Sequence, residues 1–267
     1  MKNTLIKTTE VDKITTSEQK SFDDQVMIEE PLQINTIEIS GAKKPSSITM
    51  RSPGHDADLA LGFMYNEGVI NHSQDILKTE EKYGEVDVYF SEHFESKSLL
   101  KERNFYITSS CGVCGKSSIE ELKIHADKKP VNAKLNSSLI SKMYQIMNDS
   151  QTAFNATGGC HGAGVFDYEG NLVILREDVG RHNAVDKCGG YLFKNDKISN
   201  HEYILCLSGR SCYELIQKAI RMNCSTIISI GAATSLAIET AKEFNISLIG
   251  FYKKDSLNIY AVKERIV

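Results

Sequence analysis

No stretch of this chain reaches the roughly 18 consecutive apolar residues that a membrane helix needs. The N-terminal segment, Met1 to Glu30, mixes Lys, Thr, Asp and Glu without an apolar region, so neither a membrane span nor a secretory leader is expected. Nor is there an excess of positive charge. The formal net charge is -4, which gives no global attraction to nucleic acid or to an anionic membrane. Internal repeats and low-complexity tracts are also missing. The 7 cysteines are odd in number and scattered. That makes a poor disulfide framework, and a reducing, cytoplasmic setting is expected.

Two familiar motifs fail for want of a residue. A closed zinc site needs ligands beyond the Cys111/Cys114 pair, yet Cys160, Cys188, Cys206, Cys212 and Cys224 are singletons, and neither His125 nor His161 lies in an HxxxH pair. On that ligand arithmetic no permanently bound metal is expected. Gly115-Lys116-Ser117 suggests a P-loop, but that pattern demands glycine at position 110, where the chain has Ser110.

What is present is an ordinary globular composition. The 267 residues are 41% hydrophobic and 25% charged, enough for one large domain or two modest ones. Residues 1–25 read as a polar, flexible N-terminus. Residues 26–134 read as a β-rich α+β part. Strands are predicted at 32–39, 47–50, 85–90 and 105–108, with a helix from Asp56 to Met64 closed by Gly68. A polar connector at 126–134 ends this part. Residues 135–267 alternate helices and strands. Helices are predicted from Ser137 or Ser138 to about Phe154 and at 183–192, 211–222 and 234–244. Strands are predicted at 172–175, 203–207, 226–230 and 246–252, implying an α/β sheet with parallel strands.

The most reactive peptide is Ser109-Ser110-Cys111-Gly112-Val113-Cys114-Gly115. Its glycines leave both sulfurs uncovered, and the spacing suits metal binding, redox exchange or carriage of a sulfur atom. Thr157-Gly158-Gly159-Cys160-His161-Gly162-Ala163-Gly164 reads as a close-approach loop in which His161 is an acid/base or hydrogen-bonding candidate, or a structural histidine. Arg176 to Lys187, with Arg181 and His182, follows a strand and reads either as a solvated charged turn or as guanidinium forks for phosphate. Ser208-Gly209-Arg210-Ser211 and Gly231-Ala232-Ala233-Thr234-Ser235 each follow a strand and open a helix, which makes Arg210 a further anion ligand. Phe251-Tyr252-Lys253-Lys254-Asp255-Ser256 closes a strand with aromatics and lysines fit to stack a base and neutralise a phosphate, or simply to turn a hairpin. Loops of this kind converge at one edge of an α/β sheet, and together they point to a large phosphorylated ligand such as a nucleotide.

From about Glu30 to Ala261 the chain resembles the formate dehydrogenase accessory sulfurtransferases, the FdhD family. The likeness rests on Asp58-Leu59-Ala60-Leu61-Gly62-Phe63 with Glu67-Gly68, on the CGxCG peptide, and on Thr157-Gly158-Gly159 with His161. Arg176-Glu177-Asp178-Val179-Gly180-Arg181-His182-Asn183-Ala184-Val185-Asp186-Lys187 and Ser208-Gly209-Arg210 with Ser211 and Glu214 complete it. The resemblance implies a cytidine-deaminase-like α/β fold for the C-terminal part and a homodimer. It implies a sulfur carrier that takes persulfide sulfur from a cysteine desulfurase and delivers it to the molybdenum of the bis(molybdopterin guanine dinucleotide) cofactor of formate dehydrogenase. Cys111 is then the persulfide carrier, Cys114 assists or shares that role, and the Phe251–Ser256 segment meets the guanine-dinucleotide cofactor. Two departures stand out: Ala233 where the family usually has proline, and Cys160 where it has an apolar residue, an added thiol beside His161. The deaminase zinc pattern, HxE with PCxxC, is absent. The alternatives are a cofactor-binding chaperone and a zinc-binding scaffold, neither with sulfur transfer.

Overall fold

The structure is a computed structural model that describes residues 5–94, 133–198, 201–253 and 256–267. Cys111, Cys114, His125, Lys254, Asp255 and the strand expected at 105–108 lie outside the described residues. Among the described residues, no helix is long and apolar enough to cross a membrane.

The chain opens on a ribbon rather than on frayed coil. Strands β1 (Ile6–Ile14) and β2 (Gln19–Met27) pair antiparallel along their whole length, from Ile6 opposite Met27 to Ile14 opposite Gln19. Most of their side chains are exposed, so no apolar alternation betrays the strands in sequence, and the backbone ladder alone defines them.

A four-stranded sheet follows, in the order β4-β3-β6-β5. It contains β3 (Glu30–Ile37), β4 (Lys43–Arg51), β5 (Ile76–Lys82) and β6 (Glu85–Phe90). Helix α1 (Asp56–Asn66) covers it, and Leu32, Ile34, Leu59, Met64, Val86 and Val88 are buried between them. Strand β5 was not expected: its run Leu77-Lys78-Thr79-Glu80-Glu81-Lys82 carries charge on both faces, and β6 supplies its pairing.

The C-terminal half is a mixed six-stranded sheet in the order β12-β11-β10-β9-β7-β8. Its strands are β7 (His161–Phe166), β8 (Leu172–Asp178), β9 (Tyr203–Leu207), β10 (Cys224–Ser229), β11 (Ser247–Lys253) and β12 (Ser256–Ala261). Strands β9, β10 and β11 run parallel, whereas β7 is antiparallel to both β9 and β8. Helix α2 (Ser138–Ser150) packs on one face, burying Ile140, Met143 and Met147 against Ile204, Cys206, Ile228 and Ile249. Helices α4 (Arg181–Lys194), α5 (Tyr213–Arg221) and α6 (Ser235–Glu243) take the other face, over Ala163, Val165, Leu205, Leu207, Ile227 and Leu248. The α/β class read from the sequence is the observed one.

Two local readings change here. The helix expected to run to Phe154 breaks at Gln151, where ψ is 70°, and restarts as the short α3 (Thr152–Thr157). The glycine-rich stretch 157–164, read as a loop, instead enters strand β7 at His161. Its glycines serve packing: a Cβ at Gly162 would come within 2.5 Å of Gln151 Nε2, and one at Gly164 within 2.9 Å of the Phe166 ring.

The halves meet along α1 and α4. A Cβ on Gly62 would lie 1.8 Å from the Asp186 carbonyl oxygen, and one on Gly190 would lie 1.8 Å from the Asp58 carbonyl oxygen. Glycine on each helix is thus what lets the backbones touch. The crossing holds the start of α4 against the sheet edge described next.

Candidate functional site at the sheet edge

Strand order turns scattered motifs into one site. Because β8 is antiparallel to β7 and β7 to β9, β8 points the same way as β9, β10 and β11. The loops after these strands therefore emerge at one edge, together with the first residue of β7, His161. Backbone hydrogen bonds stitch them in series: Ser208 N donates to Gly162 O (3.1 Å), Gly231 N to Gly209 O (3.0 Å) and Phe251 N to Gly231 O (3.0 Å). Ser211 N donates to Ala232 O and Thr234 N to Ser211 O, so the loop after β9 is also tied to the loop after β10. In open α/β sheets generally, ligands bind in the crevice outside this end of the strands.

His161 and Arg181 flank Gly209. A Cβ on Gly209 would lie 3.4 Å from His161 Nδ1 and 3.8 Å from Arg181 Cδ. His161 Nδ1 sits 3.5 Å from Ser208 Oγ. Burial presses the imidazole below its ordinary pKa, and the nearby Arg181 and His182 add to the effect, which favours the neutral ring, able to donate and accept hydrogen bonds. Arg181 Nε and Ser211 Oγ are buried with no hydrogen-bond partner among the described residues. Leaving such groups unpaired is costly, and both suit an anionic or hydroxyl-bearing ligand. Arg210 is exposed beside them, its stem packed on Gly231.

At the far end of the edge, Phe251 is 45% exposed and held at a φ of 50°. Left-handed backbone is uncommon for an aromatic residue and is maintained by its surroundings; here the bond to Gly231 O fixes it. Tyr252 turns the other way and stacks on Tyr144, with ring centroids 4.4 Å apart. Of the two aromatics expected to meet a base, Phe251 is free to do so and Tyr252 is engaged in the core. Lys253 and Ser256 are exposed and pair across β11 and β12.

Most of the 176–187 segment is internal scaffolding. Arg176 pairs with Asp58 of α1 at 2.9 Å. Lys187 pairs with Asp178 at 2.7 Å and donates to Ser52 O. Asn183 donates to Met50 O and to Asp178. Only Arg181 and His182 belong to the edge. Cys160 is buried against Glu177, and burial first, then that carboxylate, pushes its thiol up to about 12. It is not a competent thiolate at neutral pH.

The sequence also left a cluster unread. His182 Nε2 lies 3.1 Å from Glu214 Oε2 and 3.4 Å from Cys212 Sγ, while Cys212 Sγ lies 3.2 Å from Glu214 Oε2. Burial alone would raise the Cys212 pKa, but its bond to His182 outweighs this and lowers it; His182 is raised in turn by its bonds to Cys212 and Glu214, against the effect of burial. Cys212 is a singleton in the sequence because its partner His182 is 30 residues away.

The FdhD/NarQ family model matches residues 27–267. The chain belongs to the FdhD/NarQ family. Among its relatives is the sulfur carrier protein FdhD of Picrophilus torridus, 41% identical over 252 residues, covering 94% of this chain and 95% of that one. The same-named protein of Saccharolobus solfataricus is 39% identical over 255 residues, covering 95% of each chain. A crystal structure of a proposed formate dehydrogenase accessory protein from Desulfotalea psychrophila superposes with a TM-score of 0.81. It covers 99% of this chain and 100% of that chain at 23% identity, a likeness that bears on the fold alone. Family membership agrees with the resemblance read from the motifs, including the long run around Asn183.

Proposed function

We propose that this chain is a sulfur carrier in the maturation of formate dehydrogenase. In this reading Cys111 takes sulfane sulfur from the persulfide of a cysteine desulfurase. Its thiolate attacks the outer sulfur, the desulfurase thiolate leaves, and a persulfide forms on Cys111. The cargo's destination is the molybdenum of the bis(molybdopterin guanine dinucleotide) cofactor, bound as substrate by a homodimer of this chain. Attack of the Cys114 thiolate on the Cys111 sulfur would release the carried atom as sulfide and leave a Cys111–Cys114 disulfide, so the spacing supplies both electrons.

The observation that carries the reading is the sheet edge, where Arg181 Nε and Ser211 Oγ are buried without partners among the described residues, near His161 and exposed Arg210. These donors fit the phosphates of a guanine dinucleotide, and Phe251 fits its base. Holding that ligand while the sulfur on Cys111 is delivered to it is catalysis by proximity. The relatives named as sulfur carriers support the same reading.

Intact-protein mass spectrometry after incubation with a cysteine desulfurase and cysteine tests it. One added sulfur on the Cys111–Cys114 peptide, removed by reductant and lost in Cys111→Ala, is expected. Full formate dehydrogenase maturation by Cys111→Ala in a strain lacking the native gene would refute the carrier assignment and leave a cofactor-binding chaperone.

A further inference from the structure

The His182–Cys212–Glu214 cluster plays no part in the sulfur chemistry above. We infer that it is a divalent metal site, selective for zinc, built from His182 Nε2, Cys212 Sγ and a Glu214 carboxylate oxygen.

The geometry points there. The three donor atoms form a closed triangle with edges of 3.1, 3.4 and 3.2 Å. Zinc bonds of 2.0–2.3 Å in a tetrahedron give edges of about 3.4–3.6 Å for this donor set. An expansion of a few tenths of an ångström would seat the ion. Each donor stands on rigid structure: His182 lies in the first turn of α4, Cys212 caps α5, and Glu214 lies in the first turn of α5. His182 and Glu214 side chains are only 7% and 13% exposed, which fixes their rotamers, and Cys212 is half-buried beside them. Three protein donors from His, Cys and Glu are within the ligand set that zinc takes.

The alternative use of these residues, a nucleophile–base–acid relay, does not match. A relay needs the thiol on one imidazole nitrogen and the acid on the other. Here both approach the same nitrogen, Nε2. Charge agrees with the metal reading: a neutral imidazole, a thiolate and a carboxylate balance a divalent cation, and mixed N, S and O donors suit zinc over magnesium or calcium. No sequence motif announces the site, since its donors come from two helix starts on neighbouring loops.

This inference is independent of the sulfur-carrier reading, and its test removes that chemistry. Full-length protein carrying Cys111→Ser and Cys114→Ser is titrated with zinc chloride against a chromophoric chelator, then with cobalt(II) for its thiolate charge-transfer absorption. One zinc per chain is expected, with a cobalt–thiolate band. Adding Cys212→Ser should abolish the band and weaken zinc at least a hundredfold, with circular dichroism and melting unchanged. Glu214→Gln should weaken zinc while keeping the band, a check that does not alter the thiol. Absence of stoichiometric zinc in the Cys111→Ser/Cys114→Ser protein, or equal affinity after Cys212→Ser, would overturn the site. Zinc that binds the wild type but disappears with Cys111 and Cys114 would place the metal on that peptide and overturn it as well.

Discussion

Lys187 and Asp178 form an ion pair of 2.7 Å in which both side chains are essentially sealed from solvent, at 1% and 0% exposure. The pair is not isolated. Lys187 also donates to Ser52 O, and Asp178 accepts from Ser52 N, Gly180 N and Asn183 Nδ2. The result clamps the segment after β4 to the start of α4, which in turn positions Arg181 and His182.

Breaking this pair on one side strands a buried charge, which costs roughly 3–5 kcal/mol. Lys187→Met should lower the urea midpoint by a corresponding amount, and Asp178→Asn should do nearly the same. A midpoint for Lys187→Met within error of wild type would mean that the clamp contributes nothing to stability.

The α1–α4 crossing admits no side chain at its contact. Gly190→Ala would drive a methyl group into the Asp58 carbonyl, where the available distance is 1.8 Å. The helices must separate, at a cost of about 3 kcal/mol or more, the upper end for overpacking. Thermal melting of Gly62→Ala and Gly190→Ala should show large decreases for both. Normal melting of either would show that the helices can slide apart freely.

Acid should weaken the N-terminal sheet through Asp87. Burial opposes its charge, but hydrogen bonds from Lys43, Lys82 and Asn35 prevail and bring its pKa down from 3.8 to about 2. A folded value below the unfolded one means that its stabilisation is complete above the unfolded pKa. It is lost as pH falls from 3.8 towards about 2. Asp87→Asn should therefore be less stable than wild type at pH 6, and the gap should close as the pH is lowered through that window. A gap constant with pH would exclude this titration as its cause.

At the sheet edge, Arg181→Ala should weaken guanosine diphosphate binding by about tenfold, the worth of one charge-assisted hydrogen bond of ~1.5 kcal/mol. Ser211→Ala should have a smaller effect, and Arg181→Lys should recover part of the loss. Isothermal titration calorimetry reads all three. Unchanged affinity in Arg181→Ala would remove this edge as the nucleotide site.

Elements with an apolar pattern were legible in the sequence. Strands 85–90 and 203–207 are predicted with the bounds that the structure gives, because Glu85–Phe90 alternates and Tyr203–Leu207 is a continuous buried run. The ribbon of β1 and β2 was not legible, because nearly every side chain on it is solvated. Strand β7 was hidden by glycines chosen for the space that Gln151 and Phe166 occupy. His161, Arg181 and Arg210 were found as candidates because each follows or begins an element at a glycine-marked loop. Tyr252 shared those signals yet stacks on Tyr144, a destination that depends on which face of β11 it leaves.

Sequence by itself determined the family, the α/β class, the CGxCG peptide and the candidate loops, since composition, period and local motif are properties of neighbours along the chain. Tertiary structure decided the rest. Only the strand order brings the ends of β8 to β11 to one edge, and only the packing of α4 beside α5 closes His182, Cys212 and Glu214 into a triangle. It also turned most of the charged run 176–187 inward as a clamp, because a buried charge is stable only where partners from distant segments surround it.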